Sequence, residues 1–132
     1  MPLTSIIIPC FNGLEYTRQL LESIEAYTPE EHEIIFVDNG STDGTGEFLK
    51  EYVEKNGNTK LISNPTNLGF PKACNQAFAE AGGEYFCIVN TDVIVTPGWL
   101  TGLIECIEHR EGIGIVGPMT NSISGPQQFS EG

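Results

Sequence analysis

Positive charge is scarce in this sequence. Six Lys and Arg stand against eighteen Asp and Glu, a formal net charge of -12 over 132 residues. A surface of that sign repels polyanions, so neither nucleic acid nor an anionic membrane is an expected partner. It would equally repel a phosphorylated small molecule, so a bound nucleotide would require a divalent cation to reverse the local field. Paired cysteines are missing too. Cys10, Cys74, Cys87 and Cys106 form no CxxC pair and lie in apolar or helical contexts, which argues against a zinc site and a disulfide framework. Free thiols in a reducing cytosol are the plain reading, and the expected localisation is cytoplasmic. No long apolar run occurs near the start, where Ile6-Ile7-Ile8 is too short for a signal-peptide core or a membrane span.

What is present reads as one domain, long enough to bury roughly two thirds of its unfolded surface. Thr4 to Ile8 is β-branched and reaches Pro9, which predicts a buried strand and then a loop over Pro9 to Gly13. Leu14, Thr17, Leu20, Leu21 and Ile24 recur at helical spacing, closed by Thr28-Pro29. The unit repeats: Ile34 to Val37 is a second apolar strand, Asp38 to Gly44 a polar turn, and Thr45 to Lys55 a helix. Thr59 to Ser63 is a third strand, and Pro71 opens a helix that runs to Ala81 and is closed by Gly82-Gly83. Tyr85 to Val89 is a fourth strand, with room for a short one at Val93 to Val95. A helix with Leu100, Leu103, Ile104 and Ile107 on one face leads to a fifth strand at Ile113 to Val116. Apolar strands alternating with helices predict an α/β, Rossmann-like three-layer α/β/α domain with a mainly parallel sheet. Residues 1–118 form the domain in this reading, and 119–132, rich in Ser, Gly, Pro and Gln, a loop or frayed tail.

Polar clusters follow the first, second and fourth strands: Pro9 to Asn12, Asp38 to Asp43 and Asn90 to Asp92. In a parallel sheet these loops leave by the same edge, where ligands of open α/β folds bind. Taken singly, Asp38 is equally an Asx-turn residue and Asp92 a turn cap.

The motifs occur together and in order. Ser5 to Asn12, Glu33 to Thr45, Asn67-Leu68-Gly69-Phe70 with Ala73 and Asn75, and Asn90-Thr91-Asp92 followed by Pro97-Gly98-Trp99-Leu100 resemble the family 2 glycosyltransferases of GT-A fold over about residues 4–118. The resemblance implies a nucleotide-diphosphate sugar as donor, with a UDP-sugar expected. Pro9, Phe11 and Asn12 would border the base, and Asp38 would accept a hydrogen bond from the pyrimidine ring nitrogen. Asn39, Ser41 and Asp43 would shape the turn, Asp43 also touching ligand. Lys72, at a helix amino end, would lie near the base or phosphates. Asn90-Thr91-Asp92 matches the Asp-x-Asp motif with Asn in place of its first acid. Asn90 and Thr91 would then lie at the sugar nucleotide, and Asp92 would hold a Mn²⁺ or Mg²⁺ ion that also bridges the phosphates.

The family's catalytic base, an Asp or Glu from the second half of the fold, finds no match; the candidate after the fifth strand is Glu131, in no recognisable motif. The expectation is therefore the nucleotide-binding half of an inverting transferase, truncated after about five strands and inactive alone. Its acceptor would be a polysaccharide, a lipid-linked glycan or a protein. Self-association through the truncated edge is expected. A non-catalytic nucleotide- or protein-binding module on the same fold is the alternative. A sugar nucleotidyltransferase would need a basic, Gly-rich first loop, and a phospho-acceptor receiver an acidic cluster after the first strand; Pro9 to Gly13 has neither.

Overall fold

Continuous β-branched runs can be satisfied only by a sheet buried on both faces, and the computed structural model, which describes residues 3–109, builds one. The elements in chain order are β1 (Thr4–Cys10), α1 (Leu14–Tyr27), β2 (His32–Asn39), α2 (Thr45–Lys55), β3 (Thr59–Asn64), α3 (Phe70–Glu80), β4 (Tyr85–Ile88) and α4 (Trp99–His109). The sheet has the order β3-β2-β1-β4, and all its pairings are parallel. The expected strand at 113–116, the tail at 119–132 and Glu131 lie outside the described residues.

This order dictates the layers. From β1 the chain winds outward to β2 and β3, then returns past β1 to β4. Right-handed crossovers therefore put α1 and α2 on one face and α3 on the other. The first face buries Ile6, Ile8, Ile34 and Phe36 against Leu20, Leu21, Ile24 and Leu49. The second buries Ile7, Ile35 and Val37 against Ala73 and Ala77, whose small side chains let α3 lie close to the strands. Phe36 is fully buried and meets Tyr52 edge to face at 5.7 Å; truncating such a ring typically costs about 3–5 kcal/mol.

Three details differ from the sequence reading. β2 runs past Val37 through Asp38 to Asn39, paired with Ser63 and Asn64 of β3, so both residues are strand and not turn. β1 does not stop at Pro9 but runs through it to Cys10, with Pro9 opposite Val37. Proline is tolerated because Ile7 turns its carbonyl towards β4, accepting from Val89 N at 2.9 Å. Pro9, two residues on, turns its missing N–H to the same side, beyond the end of β4 at Ile88. Val93 to Val95 is not a strand. It runs between two turns, closed by Val93 N to Asn90 O at 3.2 Å and Trp99 N to Thr96 O at 3.1 Å, and Val95 N bonds the Ser23 hydroxyl rather than a neighbouring strand.

On the α3 face the described residues cover the sheet only in part. Phe86 and Ile88 of β4 are 51% and 38% exposed, and Phe86 touches Phe78 at 5.4 Å between ring centroids. Among the described residues β4 pairs only with β1.

At the opposite, amino edge of the sheet a polar latch joins the α3–β4 turn to β1 and β2. Glu33 Oε2 accepts from Ser5 Oγ at 2.5 Å and Gly82 N at 2.7 Å, and Ser5 Oγ accepts from Gly83 N at 2.9 Å. Lys60 Nζ lies 3.4 Å from Glu33 Oε1. Gly83 has no alternative, since a Cβ there would stand 2.6 Å from Ser5 Oγ and 2.8 Å from Leu3 O. Burial by itself would raise the Glu33 carboxyl, but the bonds from Ser5 and Gly82 and the Lys60 charge outweigh it and hold the group below its ordinary value of 4.5. A carboxyl lowered in this way stabilises the fold above its unfolded value, and that stabilisation is lost as pH falls through the folded value. Glu33→Ala should thus cost about 1–3 kcal/mol at pH 7, by leaving Ser5 and Gly82 donors unmet. In urea unfolding the gap between variant and wild type should narrow below pH 4.5; an equal gap at neutral and acid pH would count against the latch.

Candidate functional site

The reversal of strand order leaves a crevice at the carboxyl ends of β1 and β4, the place where open α/β sheets bind ligands. The loops around it are held by side chains reaching for backbone. Asn12 takes a left-handed φ of 54°, a conformation asparagine tolerates better than most residues. It is held there by two bonds to the β2–α2 loop: Asn12 N donates to Ser41 Oγ at 2.8 Å, and Thr42 N to Asn12 Oδ1 at 2.7 Å. Phe11, beside it, projects from the surface with 52% of its area exposed.

Asp43 ties two helix starts together. Its Oδ1 accepts from Thr45 Oγ1 at 2.6 Å and Thr45 N at 3.1 Å, in the first turn of α2, and its Oδ2 accepts from Leu14 N at 3.2 Å, at the start of α1. Both helices have glycine caps without a side-chain acceptor of their own, so Asp43 serves both. The Thr45 hydroxyl first, helped by the Thr45, Leu14 and Gly13 amides, holds its carboxyl below the ordinary value against the opposing effect of desolvation. Both oxygens are occupied by the chain itself.

Asn39, 4% exposed, does the same for the β3–α3 loop. Its Oδ1 accepts from Asn64 Nδ2 at 3.0 Å and Leu68 N at 3.1 Å, and its Nδ2 donates to Gly69 O at 3.3 Å. Gly40, at φ 82°, lies so close to this loop that a Cβ would meet Thr66 backbone at 2.9 Å.

Asp38, next to last in β2, is 7% exposed, and its Oδ1 accepts from Ser41 N at 3.0 Å. Among the described residues its Oδ2 has no donor, and a Cβ at Gly46 would stand 2.8 Å from it. The first turn of α2 therefore abuts this carboxyl, where the helix dipole favours negative charge. Gly46 was not picked out from the sequence, although a glycine inside a helix costs about 1 kcal/mol against alanine and could have signalled a tight approach. Cys10, opposite Asp38 on β1, is pushed up to about 12 by burial and then by the Asp38 charge, so it is a thiol and not a nucleophile at neutral pH.

The structure thus brings Phe11, Asn12, Asp38 and Asp43 together through bonded loops, with Pro9 in the strand beneath them. Asn90, Thr91 and Asp92 form the turn after β4, the strand on the other side of β1. Among the described residues no hydrogen bond joins them to the Asp38 loop. Lys72 is exposed in the first turn of α3, beyond the loop that Asn39 holds. No three His, Cys, Asp or Glu side chains converge as a ready-made metal cage among the described residues. The single exposed Asp92 fits instead an ion held mainly by donor phosphates and water, the usual manner for Mg²⁺ at phosphate sites.

Solved structures of similar shape define the class. Over 79% of this chain and 32% of that one, the fold matches the Pyrobaculum calidifontis mannosyltransferase PcManGT, in complex with GDP-Man and Mn²⁺, with a TM-score of 0.72 at 24% identity. Over 88% of this chain and 37% of the other, it matches S. aureus TarS 1-349 in complex with UDP-GlcNAc, with a TM-score of 0.70 at 28% identity. The architecture is that of the GT-A glycosyltransferases. The sequence model of glycosyl transferase family 2 matches residues 5–130, and the chain belongs to that family.

Among curated relatives, an uncharacterized glycosyltransferase of Haemophilus influenzae is 34% identical over 116 residues, which are 88% of this chain and 36% of the relative. Glycosyltransferase GlyG of Streptococcus pneumoniae is 29% identical over 119 residues, 90% of this chain and 40% of the relative. The chain spans two fifths or less of the length of these relatives. No described helix is long and apolar enough to cross a membrane.

The Asp43 tie gives a direct expectation. Asp43→Ala should lower stability by about 1 kcal/mol, as loss of a helix cap does, and should raise amide exchange at Leu14 and Thr45 more than in β1 or β2. Unchanged exchange at both amides would show that the glycine caps suffice.

Proposed function

We propose that residues 1–118 are the donor-binding part of an inverting glycosyltransferase that uses a nucleotide-diphosphate sugar, a UDP-sugar first among them. The observation that carries this reading is the placement of Asp38 and of the Asn90-Thr91-Asp92 turn at the carboxyl ends of β2 and β4, on either side of β1, in a chain of family 2. Asp38 Oδ2 accepts the ring N–H of the base, while Pro9, Phe11 and Asn12 border it and the exposed Phe11 ring offers a stacking face. Asn90 meets the ribose, with Thr91 beside it at the sugar nucleotide, and Lys72 lies near the base or the phosphates. Asp43 serves the site chiefly by holding the loops. Bound at Asp92, Mn²⁺ or Mg²⁺ supplies charge neutralisation for the departing diphosphate, and each ~1.4 kcal/mol of such stabilisation is worth tenfold in rate. TarS, 28% identical, was solved with UDP-GlcNAc, which supports uridine as the base.

In the full reaction the acceptor oxygen attacks the anomeric carbon and the bond to the diphosphate oxygen breaks with its electron pair leaving on the diphosphate. The acceptor proton passes to a carboxylate base. No described residue is assigned that base, so the chain by itself should bind donor without transferring sugar. The acceptor is a polysaccharide, a lipid-linked glycan or a protein, met on the cytoplasmic side. Exposed Phe86, Ile88 and Phe78 beside the outer edge of β4 support self-association of this chain through that face. A Phe86→Lys variant should shift light-scattering mass towards the monomer at high concentration; a wild type that is monomeric there counts against it.

Calorimetric titration with UDP, with and without Mn²⁺, tests the donor site. Affinity should require metal, fall at least about tenfold in Asp92→Ala, as loss of a metal ligand implies, and fall also in Asp38→Ala. Gly46→Ala should weaken UDP binding by crowding Asp38 Oδ2, with alanine's helix preference offsetting part of the strain in the urea midpoint. No binding of UDP, GDP or dTDP with any metal would favour the alternative of a non-catalytic module on this fold.

A further inference from the structure

Asn90 and Asp92 are exposed, and among the described residues neither side chain makes a hydrogen bond of its own. Something else must fix where the turn stands. On one side it is Val89, bonded to Ile7 O in β1. On the other, three hydrogen bonds reach from the segment after the turn to the corner between α1 and β2. Val95 N donates to Ser23 Oγ at 3.1 Å, and Trp99 Nε1 donates to Thr28 Oγ1 at 2.9 Å. Thr101 Oγ1, in the first turn of α4, donates to Glu30 Oε2.

The acceptors are no solvated surface groups: Ser23 and Thr28 are each 7% exposed and Glu30 8%. Ser23 is further fixed by donating to Leu20 O at 2.8 Å. Val95 and Leu100, at 4% and 1% exposure, anchor the same segment in the core. Pro97-Gly98, with Gly98 at φ 79°, makes the tight turn that delivers Trp99 to Thr28. Glu30 is costly for the fold, since among the described residues its Oε1 is buried without a partner. An apolar side chain of similar size would stabilise such a corner at least as well. What the carboxyl offers instead is a directed bond to the start of α4.

We infer that Ser23, Thr28 and Glu30 are positioning residues: they clamp residues 95–101 so that the Asn90-Thr91-Asp92 turn is held in place before any ligand binds. None of the three belongs to a motif of the site. The inference rests on the donor-site reading only for its effect on metal-dependent binding; the clamp itself has readouts that need no ligand.

Trp99 is the sole tryptophan, so its emission reports on the clamp alone. In the full chain, Thr28→Val removes the indole's acceptor at nearly constant volume, and Trp99→Phe removes the donor while keeping a ring in the cluster. Amide exchange across residues 91–97 should rise about tenfold in both variants, with β1 and β2 unchanged, as a local opening requires. Trp99 emission should shift to the red in Thr28→Val, and Thr28→Ser, which keeps the hydroxyl, should restore both signals. UDP affinity with Mn²⁺ should fall several-fold in the variants while any metal-free affinity through Asp38 stays the same. Exchange at 91–97 that is unchanged, or that rises in step with the core strands, overturns the clamp. Absence of Mn²⁺-dependent UDP binding in the wild type would overturn the donor site and leave the clamp to be decided by exchange and emission.

Discussion

Parallel pairing of β1 with β2 on one side and β4 on the other forces the chain to reverse its winding. Each crossover keeps its right hand, so the helices before and after the reversal must lie on opposite faces. The carboxyl ends of β1 and β4 are therefore the switch point at which open α/β sheets form a binding crevice, and the segment after β4 packs with α1 through Val95 and Trp99. Every candidate binding residue is placed by that geometry. Ile6, Ile7 and Ile8 make it stable, because all are fully buried and neighbouring residues serve opposite faces of the sheet.

Around the crevice the chain holds its loops with short polar side chains bonded to backbone. Asn12, Asn39 and Asp43 each meet groups from a loop distant in sequence. Such bonds are worth only about 1 kcal/mol apiece in net stability, but breaking one strands a partner at greater cost. The outcome is a set of loops that are irregular and yet fixed, which a site needs if donor binding is not to bear the whole entropy of ordering it. The left-handed φ of Asn12 fits this arrangement, since two bonds compensate a conformation that is otherwise unfavourable.

The two sides of the crevice are held differently. On the β2 side, Asp38 is set by the turn that follows it and by the first turn of α2, all within a few residues. On the β4 side, the Asn90-Thr91-Asp92 turn is exposed and its support comes from the α1–β2 corner, some 70 residues away in sequence. The chain belongs to glycosyl transferase family 2, and the two acids rest on different supports within it.

Elements whose signal is local were legible in the sequence. The alternation of apolar strands and amphipathic helices specifies a parallel α/β domain, and α2 runs from Thr45 to Lys55 as its pattern predicts. The motifs around Asp38 and Asp92 identify the family, because residue types at fixed spacing report chemistry directly. Other features depend on contacts between distant segments, for which a linear pattern carries no sign. Pro9 can stay in β1 only because β4 has already ended; Val93 to Val95 looks like a strand but finds a serine hydroxyl instead of a strand edge. Asp43 reads in the sequence as a turn residue that also touches ligand, and only the structure shows both its oxygens bonded to Leu14 and Thr45. Periodicity and motif thus determined the fold and the family. Which polar groups hold the loops and which are left without a partner among the described residues was decided by the tertiary structure, because a hydrogen bond depends on where its partner lies in space.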